Sequence, residues 1–273
     1  MIRLAVRCPP ELAEPVLAQL LELAPNGVEE ERGPGWVEYA IYGAPGEVPD
    51  LGQLQAAAGD GVVEVSASAV PDDWADRWAD FHRPIEVADR IRIRPSWERP
   101  RAGLLDVVID PGQAFGTGAH PTTRLCVELL AELAAQGVTG SLADWGTGSG
   151  VLAISAAKLG WRPVLACDRE PAALETAARN ARANGVEIEL SRVDVRETMP
   201  PSADTVVANL TAPLLGAVAA RIWEAPSLPS TLVCSGMLAS ESAVVSSSFE
   251  ELGFHRRRRR EERDWAAILF ARS

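Results

Sequence analysis

The stretch "LADWGTGSGVLAISAAKLG", Leu142 to Gly160, joins a short apolar run to an alanine-rich segment through three closely spaced glycines. These glycines follow the pattern G-x-G-x-G, which differs from the G-x-G-x-x-G of dinucleotide-binding enzymes. A strand that turns sharply into a helix needs glycine where the backbone approaches a ligand more closely than a Cβ permits. The stretch therefore predicts a strand, a glycine turn beside a ligand that has no pyrophosphate, and a helix that ends at Gly160.

Two carboxylates flank this glycine turn. Asp168 ends the next predicted strand, "PVLACD", where a carboxylate can accept both hydroxyls of a ribose. Asp144 precedes the turn, and two interpretations remain open for it: it holds the glycine loop, or it receives a cationic group of the ligand. Together the turn and Asp168 predict a nucleoside-type site.

From about Leu104 onward, strand-like runs alternate with helical segments. This order predicts an α/β fold for residues 105–273, with a doubly wound sheet and helices on both faces. The last segment, "FHRRRRREERDWAAILFAR", holds two strand-like runs without a helix between them. We therefore expect an antiparallel edge at the C-terminal end of the sheet.

Residues 1–70 follow the order strand, helix, strand, strand, helix, strand, which is typical of the α+β ferredoxin-like split βαβ unit. The buried side of the first helix is expected to consist of Leu12, Val16, Leu20 and Leu23. Residues 71–104 are interpreted as a tryptophan-bearing connector whose aromatic stripe serves packing or forms a wall of a substrate groove. The alternating "RIRIRPSWERP" predicts an exposed strand, with a domain boundary near residues 95–105.

The net charge of −12 argues against a protein that binds nucleic acid by neutralising phosphates, and leaves basic proteins as partners. The arginine-rich run from His255 to Arg263 therefore favours a solvated edge strand, with RNA contact as the alternative. The four cysteines are far apart, which is typical of reduced thiols in a cytosolic protein. We expect a cytoplasmic protein with no membrane segment and no metal.

A second glycine-rich stretch, "DPGQAFGTGAHPTT", Asp110 to Thr123, precedes the first one. Together with "DWGTGSGVLA" and "VVANL", it resembles the ribosomal protein L11 methyltransferases, the PrmA family, over essentially the whole chain. The FGTG-x-H-x-TT part is the most specific; the glycine turn is common to class I methyltransferases. The resemblance implies a doubly wound class I methyltransferase (Rossmann-like) domain with the small N-terminal ferredoxin-like domain.

The family resemblance also implies an activity. It indicates an S-adenosylmethionine-dependent protein-lysine N-methyltransferase that modifies lysine side chains and the N-terminal amine of a large-subunit ribosomal protein. The small domain would capture that substrate. We expect a monomer without a nucleic-acid partner. Two alternatives remain: a class I methyltransferase of RNA or a small molecule, and a catalytically silent cofactor-binding regulator.

The resemblance implies cofactor contacts at six positions: Phe115, Thr123, Gly146, Gly148, Asp168 and Asn209. Asn209 is also the expected catalytic residue, because its amide oxygen can accept a hydrogen bond from the incoming amine and orient the lone pair. A turn-forming role is the alternative for Asn209, since a lone asparagine after a strand commonly forms a turn. "VVANL" also lacks the N-P-P-Y form of many amine and amide methyltransferases, which bears on the identity of the methyl acceptor. His120 is interpreted either as a base or as a residue that holds the loop.

Overall fold

A computed structural model describes residues 2–13, 16–17, 20, 29–43, 64–69, 84–110, 120–225 and 227–272. The chain divides into two compact units, Met1–Phe81 and His82–Ser273. In the described residues, no helix is long and apolar enough to cross a membrane. All four cysteines are free and buried.

The first unit contains a four-stranded antiparallel sheet in the order β2-β3-β1-β4. This is the strand order of the split βαβ unit predicted from the sequence. The expected second helix, "PDLGQLQAAAG", lies outside the described residues. The strands are β1 (Ile2–Cys8), β2 (Glu29–Gly33), β3 (Trp36–Gly43) and β4 (Glu64–Ala69).

One face of this sheet is covered by the segment after β1, which opens with the 3-10 turn Pro10–Leu12. Val16 and Leu20 are buried in one apolar cluster with the β1 side chains, and Leu12 packs against that cluster. The predicted buried side is thus confirmed for these three residues, whereas Leu23 lies outside the described part of the chain.

The second unit contains a seven-stranded sheet in the order β10-β9-β8-β11-β12-β14-β13. Strands β10, β9, β8, β11 and β12 are parallel, and β14 and β13 add the antiparallel edge predicted from the sequence. The strands are β8 (Leu142–Trp145), β9 (Val164–Asp168), β10 (Glu189–Arg192), β11 (Thr205–Asn209), β12 (Thr231–Leu238), β13 (His255–Glu262) and β14 (Trp265–Ala271).

Helices cover both faces of this sheet, so the predicted doubly wound fold is confirmed. Two separate apolar clusters form the core, one on each face. The first holds side chains of α1, α2 and α3, and the second those of α4 and α5. The helices are α1 (Pro121–Ala135), α2 (Val151–Leu159), α3 (Pro171–Asn184), α4 (Ala212–Arg221) and α5 (Ser242–Glu250).

The order of the strands creates a crevice at their carboxyl ends. From β8 the chain proceeds outward to β9 and β10, and then returns to the other side of β8 through β11 and β12. The neighbours β8 and β11 therefore mark the point where the winding reverses. In open α/β sheets, ligands bind in the crevice at such a point.

A three-stranded sheet in the order β5-β6-β7 joins the first core cluster, and it corrects the predicted boundary near residues 95–105. Its strands are β5 (Ile85–Val87), β6 (Ile91–Arg94) and β7 (Leu105–Val108), and β6 pairs with β7 across that expected boundary. Residues 84–104 therefore belong to the second unit, whose division from the first lies at Phe81 and His82. Trp74 and Trp78 of the expected aromatic stripe lie outside the described residues, whereas Trp97 is described and exposed.

The expectation that β6 is exposed is also wrong. Ile91 and Ile93 are buried, while the arginines that alternate with them pair with carboxylates on the neighbouring strands. Arg94, for example, donates to both carboxylate oxygens of Asp106 at 2.7 Å. An alternation of isoleucine and arginine is thus the pattern of a half-buried strand.

The arginine run lies on β13, the edge strand of the large sheet, as predicted. Arg260 forms ion pairs with Glu128 and Glu132 of α1, and Arg258 lies 3.9 Å from Glu132. Glutamates of α1 thus balance part of the positive charge of the arginine run. These contacts agree with the predicted edge strand, whose charges are partly balanced within the fold.

Candidate functional site

The glycine turn lies between β8 and α2, and each of its glycines has a positive φ: +76° at Gly146, +53° at Gly148 and +83° at Gly150. The amides of Gly146 and Thr147 both donate to the Cys167 carbonyl at 2.9 Å, which holds the turn beside the end of β9. A Cβ on Gly146 would lie 2.5 Å from Leu210 Cδ2. Side chains would therefore both strain and obstruct the turn.

Asp144 holds this turn from below. It is fully buried, and its Oδ2 accepts hydrogen bonds from Thr147 Oγ1 at 2.7 Å and from the Ala153 amide at 3.2 Å. Burial raises the pKa of the Asp144 carboxyl to about 7. Of the two open interpretations, these contacts favour the loop-holding role, because Asp144 is not among the residues that line the cavity described below.

Replacing Asp144 by asparagine should remove a pH-dependent part of the stability. The folded carboxyl stays protonated up to about pH 7, whereas the pKa of an aspartate in the unfolded chain is 3.8. Between pH 3.8 and about pH 7 the folded state therefore binds one more proton than the unfolded state. As pH rises through this range, Asp144 lowers the free energy of unfolding by about 1.4 kcal/mol per pH unit. Urea unfolding of both proteins at several pH values measures the difference. A difference that does not change with pH would contradict the prediction.

Asp168 is held at the end of β9 by two backbone amides. Its Oδ2 accepts from the Gly148 amide at 2.9 Å, and its Oδ1 accepts from the Glu170 amide at 3.0 Å. These bonds orient the carboxylate, and each oxygen keeps a further lone pair for a ligand hydroxyl. Asp168 is therefore preorganised as an acceptor of paired hydroxyl groups.

A cavity of about 300 Å³ opens at the carboxyl ends of the strands, at the point where the winding reverses. It brings together five of the six predicted site residues, while Phe115 lies outside the described part of the chain. The lining residues are Thr123, Gly146, Thr147, Gly148, Val151, Leu152, Asp168, Arg169, Val193, Asp194, Val195, Arg196, Asn209, Leu210 and Leu214.

Asn209 ends β11, next to β8 and its glycine turn. Its Nδ2 lies 3.4 Å from Oγ1 of Thr123, a buried residue in the first turn of α1. The contact joins two segments that are far apart in the sequence and places the amide group at the cavity wall. Since Nδ2 faces a threonine oxygen, Oδ1 is the amide atom that can accept a hydrogen bond from a ligand.

His120 holds the start of α1. Its Nδ1 lies 2.8 Å from Thr122 Oγ1 and accepts from the Thr122 amide at 3.4 Å, while its ring packs edge-on against Trp265. Burial, together with nearby Arg124, lowers the pKa of His120, although Glu262 opposes this shift. His120 is not among the residues that line the cavity, so these contacts favour the loop-holding interpretation over that of a base.

Several lining residues were missed at the sequence level. Asp194 and Val195 follow β10, so the rule that led to Asp168, that of a side chain just past a strand of the parallel sheet, also applies to them. Arg196 pairs with Asp194 through its guanidinium group, which holds the pKa of that carboxyl well below its usual range. The apolar lining residues Leu210 and Leu214 carried no comparable signal.

Gly236 was also missed at the sequence level. It lies on β12, the strand next to β11, which ends at Asn209. It lies at an irregularity of β12 with φ +86°, and a Cβ there would lie 2.5 Å from the Leu210 carbonyl oxygen and 2.8 Å from its nitrogen. Leu210 follows Asn209 directly, so the missing side chain lets the end of β11 approach β12. A glycine inside a strand-like run is the signal that would have indicated such an approach.

We expect Gly236→Ala to destabilise the protein by about 2–4 kcal/mol, because it combines a disfavoured φ with a clash against backbone atoms. Gly253→Ala is the matched control: Gly253 has φ +83°, but a Cβ there would meet nothing within 4 Å. Urea unfolding of both variants separates the free-energy cost of the clash with Leu210 from the cost of the disfavoured φ. Equal losses in the two would show that the approach to Leu210 carries no cost.

Comparison with known proteins gives a consistent result. Residues 49–273 match the family model described as "Ribosomal protein L11 methyltransferase (PrmA)". A relative from Pelotomaculum thermopropionicum, named ribosomal protein L11 methyltransferase, is 39% identical over 201 residues, which cover 72% of this chain and 65% of the relative. A Clostridium botulinum relative with the same name is 33% identical over 226 residues, 82% of this chain and 71% of the relative.

A solved structure supports the fold assignment. The ribosomal protein L11 methylase of Lactobacillus delbrueckii subsp. bulgaricus superposes with a TM-score of 0.63 and 28% identity, over 70% of this chain and all of that one. The first of the relatives named above is longer, so this chain spans only about two thirds of its length. Fold, glycine turn and sequence similarity agree, and the chain belongs to the ribosomal protein L11 methyltransferase (PrmA) family.

Proposed function

We propose that this protein transfers methyl groups from S-adenosylmethionine to amino groups of a large-subunit ribosomal protein. The observation that carries the proposal is the convergence of Asp168, the glycine turn and Asn209 on one cavity of about 300 Å³. Membership in the PrmA family supports it, since relatives are named for methylation of ribosomal protein L11. Asp168 and the turn provide cofactor contacts, and Asn209 provides an acceptor for the amine.

The residues of the cavity fit S-adenosylmethionine. Asp168 would accept both ribose hydroxyls, since two backbone amides orient its carboxylate. The turn from Gly146 to Gly148 would allow the methionine portion to approach the backbone, and Thr123 lines the same cavity. Val193, Val195 and Leu214 add the apolar surface that a purine ring needs. When bound, the cofactor supplies an electrophilic methyl group on its sulfonium.

Asn209 would act on the methyl acceptor. A lysine side chain has a reference pKa near 10.4, so it arrives largely as an ammonium without a free lone pair. A site that removes water disfavours this charged form. The Asn209 amide oxygen would accept one hydrogen of the neutral amine and thereby orient its lone pair. Catalysis then depends chiefly on alignment of the amine and exclusion of water.

The charge of the protein is consistent with a basic protein substrate. The net charge is −12, and opposite charge speeds the diffusional encounter between proteins. We propose both lysine side chains and the N-terminal amine as acceptors. We also propose that residues 1–70 capture the substrate and that the protein acts as a monomer in the cytoplasm.

The deciding experiment is incubation with methyl-labelled S-adenosylmethionine and a mixture of purified ribosomal proteins and ribosomal RNA. We expect label in protein L11. Label in RNA alone would favour an RNA methyltransferase. Tight cofactor binding without transfer would favour a silent regulator.

The proposed acceptor groups can be tested with two modified substrates. L11 with a blocked N-terminal amine should still accept methyl groups on lysine, and L11 with acetylated lysines should accept them on the N-terminal amine. Mass spectrometry of the products counts the methyl groups at each position. A substrate in which both kinds of amine are blocked is the control and should receive none.

A further inference from the structure

Helix α3 carries two buried asparagines, Asn180 and Asn184, on one face and one turn apart. Asn180 is 3% exposed and Asn184 is 9% exposed. A buried amide side chain costs free energy unless its polar atoms are hydrogen bonded. The partners of these two side chains are therefore informative, and they lie in two different parts of the second unit.

Asn184 binds the backbone of β7 through both ends of its amide. The Val108 amide donates to Asn184 Oδ1 at 2.8 Å, and Asn184 Nδ2 donates to the Val108 carbonyl at 2.7 Å. Strand β7 is an edge of its sheet, with β6 on the other side. A single side chain thus pairs with the free edge of β7 as a neighbouring strand would.

Asn180 binds the glycine turn. Its Nδ2 donates to the Ser149 carbonyl at 2.8 Å, and Ser149 follows Gly148 of the cavity wall. The two asparagines are linked as well, because Asn184 Nδ2 also donates to the Asn180 carbonyl at 2.8 Å. One turn of α3 therefore connects the glycine turn to β7 through the hydrogen bonds of two asparagine side chains and the helix backbone that carries them.

The connection matters because β7 leads into the second glycine-rich stretch. After β7, the Ile109 amide donates to the Arg94 carbonyl at 2.8 Å, and Asp110 Oδ1 accepts from the Ser96 amide at 2.6 Å. The stretch "PGQAFGTGA", residues 111–119, starts at the next residue. Strand β7 and the contacts of Ile109 and Asp110 thus fix the described residues that immediately precede this stretch in the sequence.

We infer that Asn180 and Asn184 are positioning residues for the cofactor site, which couple the glycine turn to the strand that carries the second glycine-rich stretch. The inference rests on the proposed function and goes beyond it, since neither asparagine touches the cavity. Hydrogen bonds through rigid helix backbone transmit a displacement of β7 to the turn that binds the ligand. Loss of the Asn184 contacts should therefore weaken cofactor binding from a distance.

The test uses two substitutions at Asn184 and calorimetric titration with S-adenosylhomocysteine. Asn184→Ala removes both contacts to Val108 and should weaken binding about tenfold at all pH values, which equals about 1.4 kcal/mol. Asn184→Asp can accept from the Val108 amide, but only its protonated form can also donate to the Val108 carbonyl. Its affinity relative to the wild type should be low at about pH 8 and recover toward about pH 5, because burial favours the protonated carboxyl.

Ser141→Ala is the matched control. Ser141 Oγ donates to Asp204 Oδ2 at 2.7 Å and accepts from the Asp204 amide at 2.8 Å. These contacts also join distant segments, but they lie at the amino ends of β8 and β11, whereas the cavity lies at the carboxyl ends. Thermal unfolding should therefore show a loss of stability in this variant, while its affinity for S-adenosylhomocysteine should equal that of the wild type.

The inference would be overturned if both Asn184 variants bound like the wild type, or if the deficit of Asn184→Asp did not change with pH. A loss of affinity in Ser141→Ala as large as that in Asn184→Ala would also overturn it, since general destabilisation would then explain the effect. If the wild type itself bound no S-adenosylhomocysteine, the proposed function would fail first. The same titration thus distinguishes the two failures.

Discussion

Asn209→Ala should lower kcat for methylation of a lysine substrate by about 10²–10³-fold, the usual cost of removing a polar group aimed at the reacting atoms. The amide oxygen is expected to accept a hydrogen bond from the substrate amine and so orient its lone pair. Alanine provides no acceptor for that amine hydrogen. Folding should change little, because among the described residues the Asn209 side chain makes one long hydrogen bond, of 3.4 Å to Thr123. Single-turnover kinetics with saturating cofactor measure the effect on the transfer step alone.

Two further measurements define the role of Asn209. The affinity for S-adenosylhomocysteine should change much less than kcat, since the cofactor contacts at Asp168 and the glycine turn remain. Asn209→Asp keeps an acceptor oxygen and should retain more activity than Asn209→Ala. A kcat close to that of the wild type in Asn209→Ala would remove this residue from the mechanism and favour its role as a turn former.

Asp168→Ala should weaken binding of S-adenosylhomocysteine by about 10²–10⁴-fold. Two hydrogen bonds from ribose hydroxyls to a charged acceptor contribute about 1.5–3 kcal/mol each. The substitution also removes the acceptor for the amides of Gly148 and Glu170, so the turn loses a fixed orientation at the same time. Calorimetric titration measures the affinity, and thermal unfolding reports how much of the loss accompanies destabilisation.

Glu170→Gln is the matched control for Asp168→Ala. Glu170 is the neighbouring carboxylate, but its exposed side chain pairs only with Arg169 among the described residues, and its backbone amide to Asp168 is unchanged by the substitution. We expect cofactor affinity equal to that of the wild type. If Asp168→Ala also bound like the wild type, the ribose assignment would be wrong.

Local sequence patterns predicted a large part of this fold. The spacing of Gly146, Gly148 and Gly150 predicted a strand, a turn and a helix, and all three have the positive φ that explains the choice of glycine. The alternation of strands and helices predicted the doubly wound sheet, because a parallel strand must be reached through a crossover. The position of Asp168 at the end of a strand of this sheet was predicted for the same reason.

Local patterns failed where a partner lies far away in the sequence. The isoleucine and arginine alternation of β6 was wrongly interpreted as an exposed strand, and the pairing of β6 with β7 placed residues 84–104 in the second unit, which begins at His82. The contact of Asn184 with Val108 spans 76 positions. The local sequence around Asn184 and Val108 does not indicate this contact, because an asparagine near the end of a helix is equally compatible with an exposed position.

The sequence by itself determined the alternation of strands and helices in the second unit and the positions of the glycines and carboxylates around the turn, because these follow from the short-range geometry of the backbone. Its motifs also carried the resemblance to the PrmA family. Only the tertiary structure decided that Thr123 meets Asn209, that Gly236 makes room for Leu210, and that Asn180 and Asn184 connect the glycine turn to β7. Those contacts depend on how separate elements pack, and packing is determined by the whole core rather than by any local pattern.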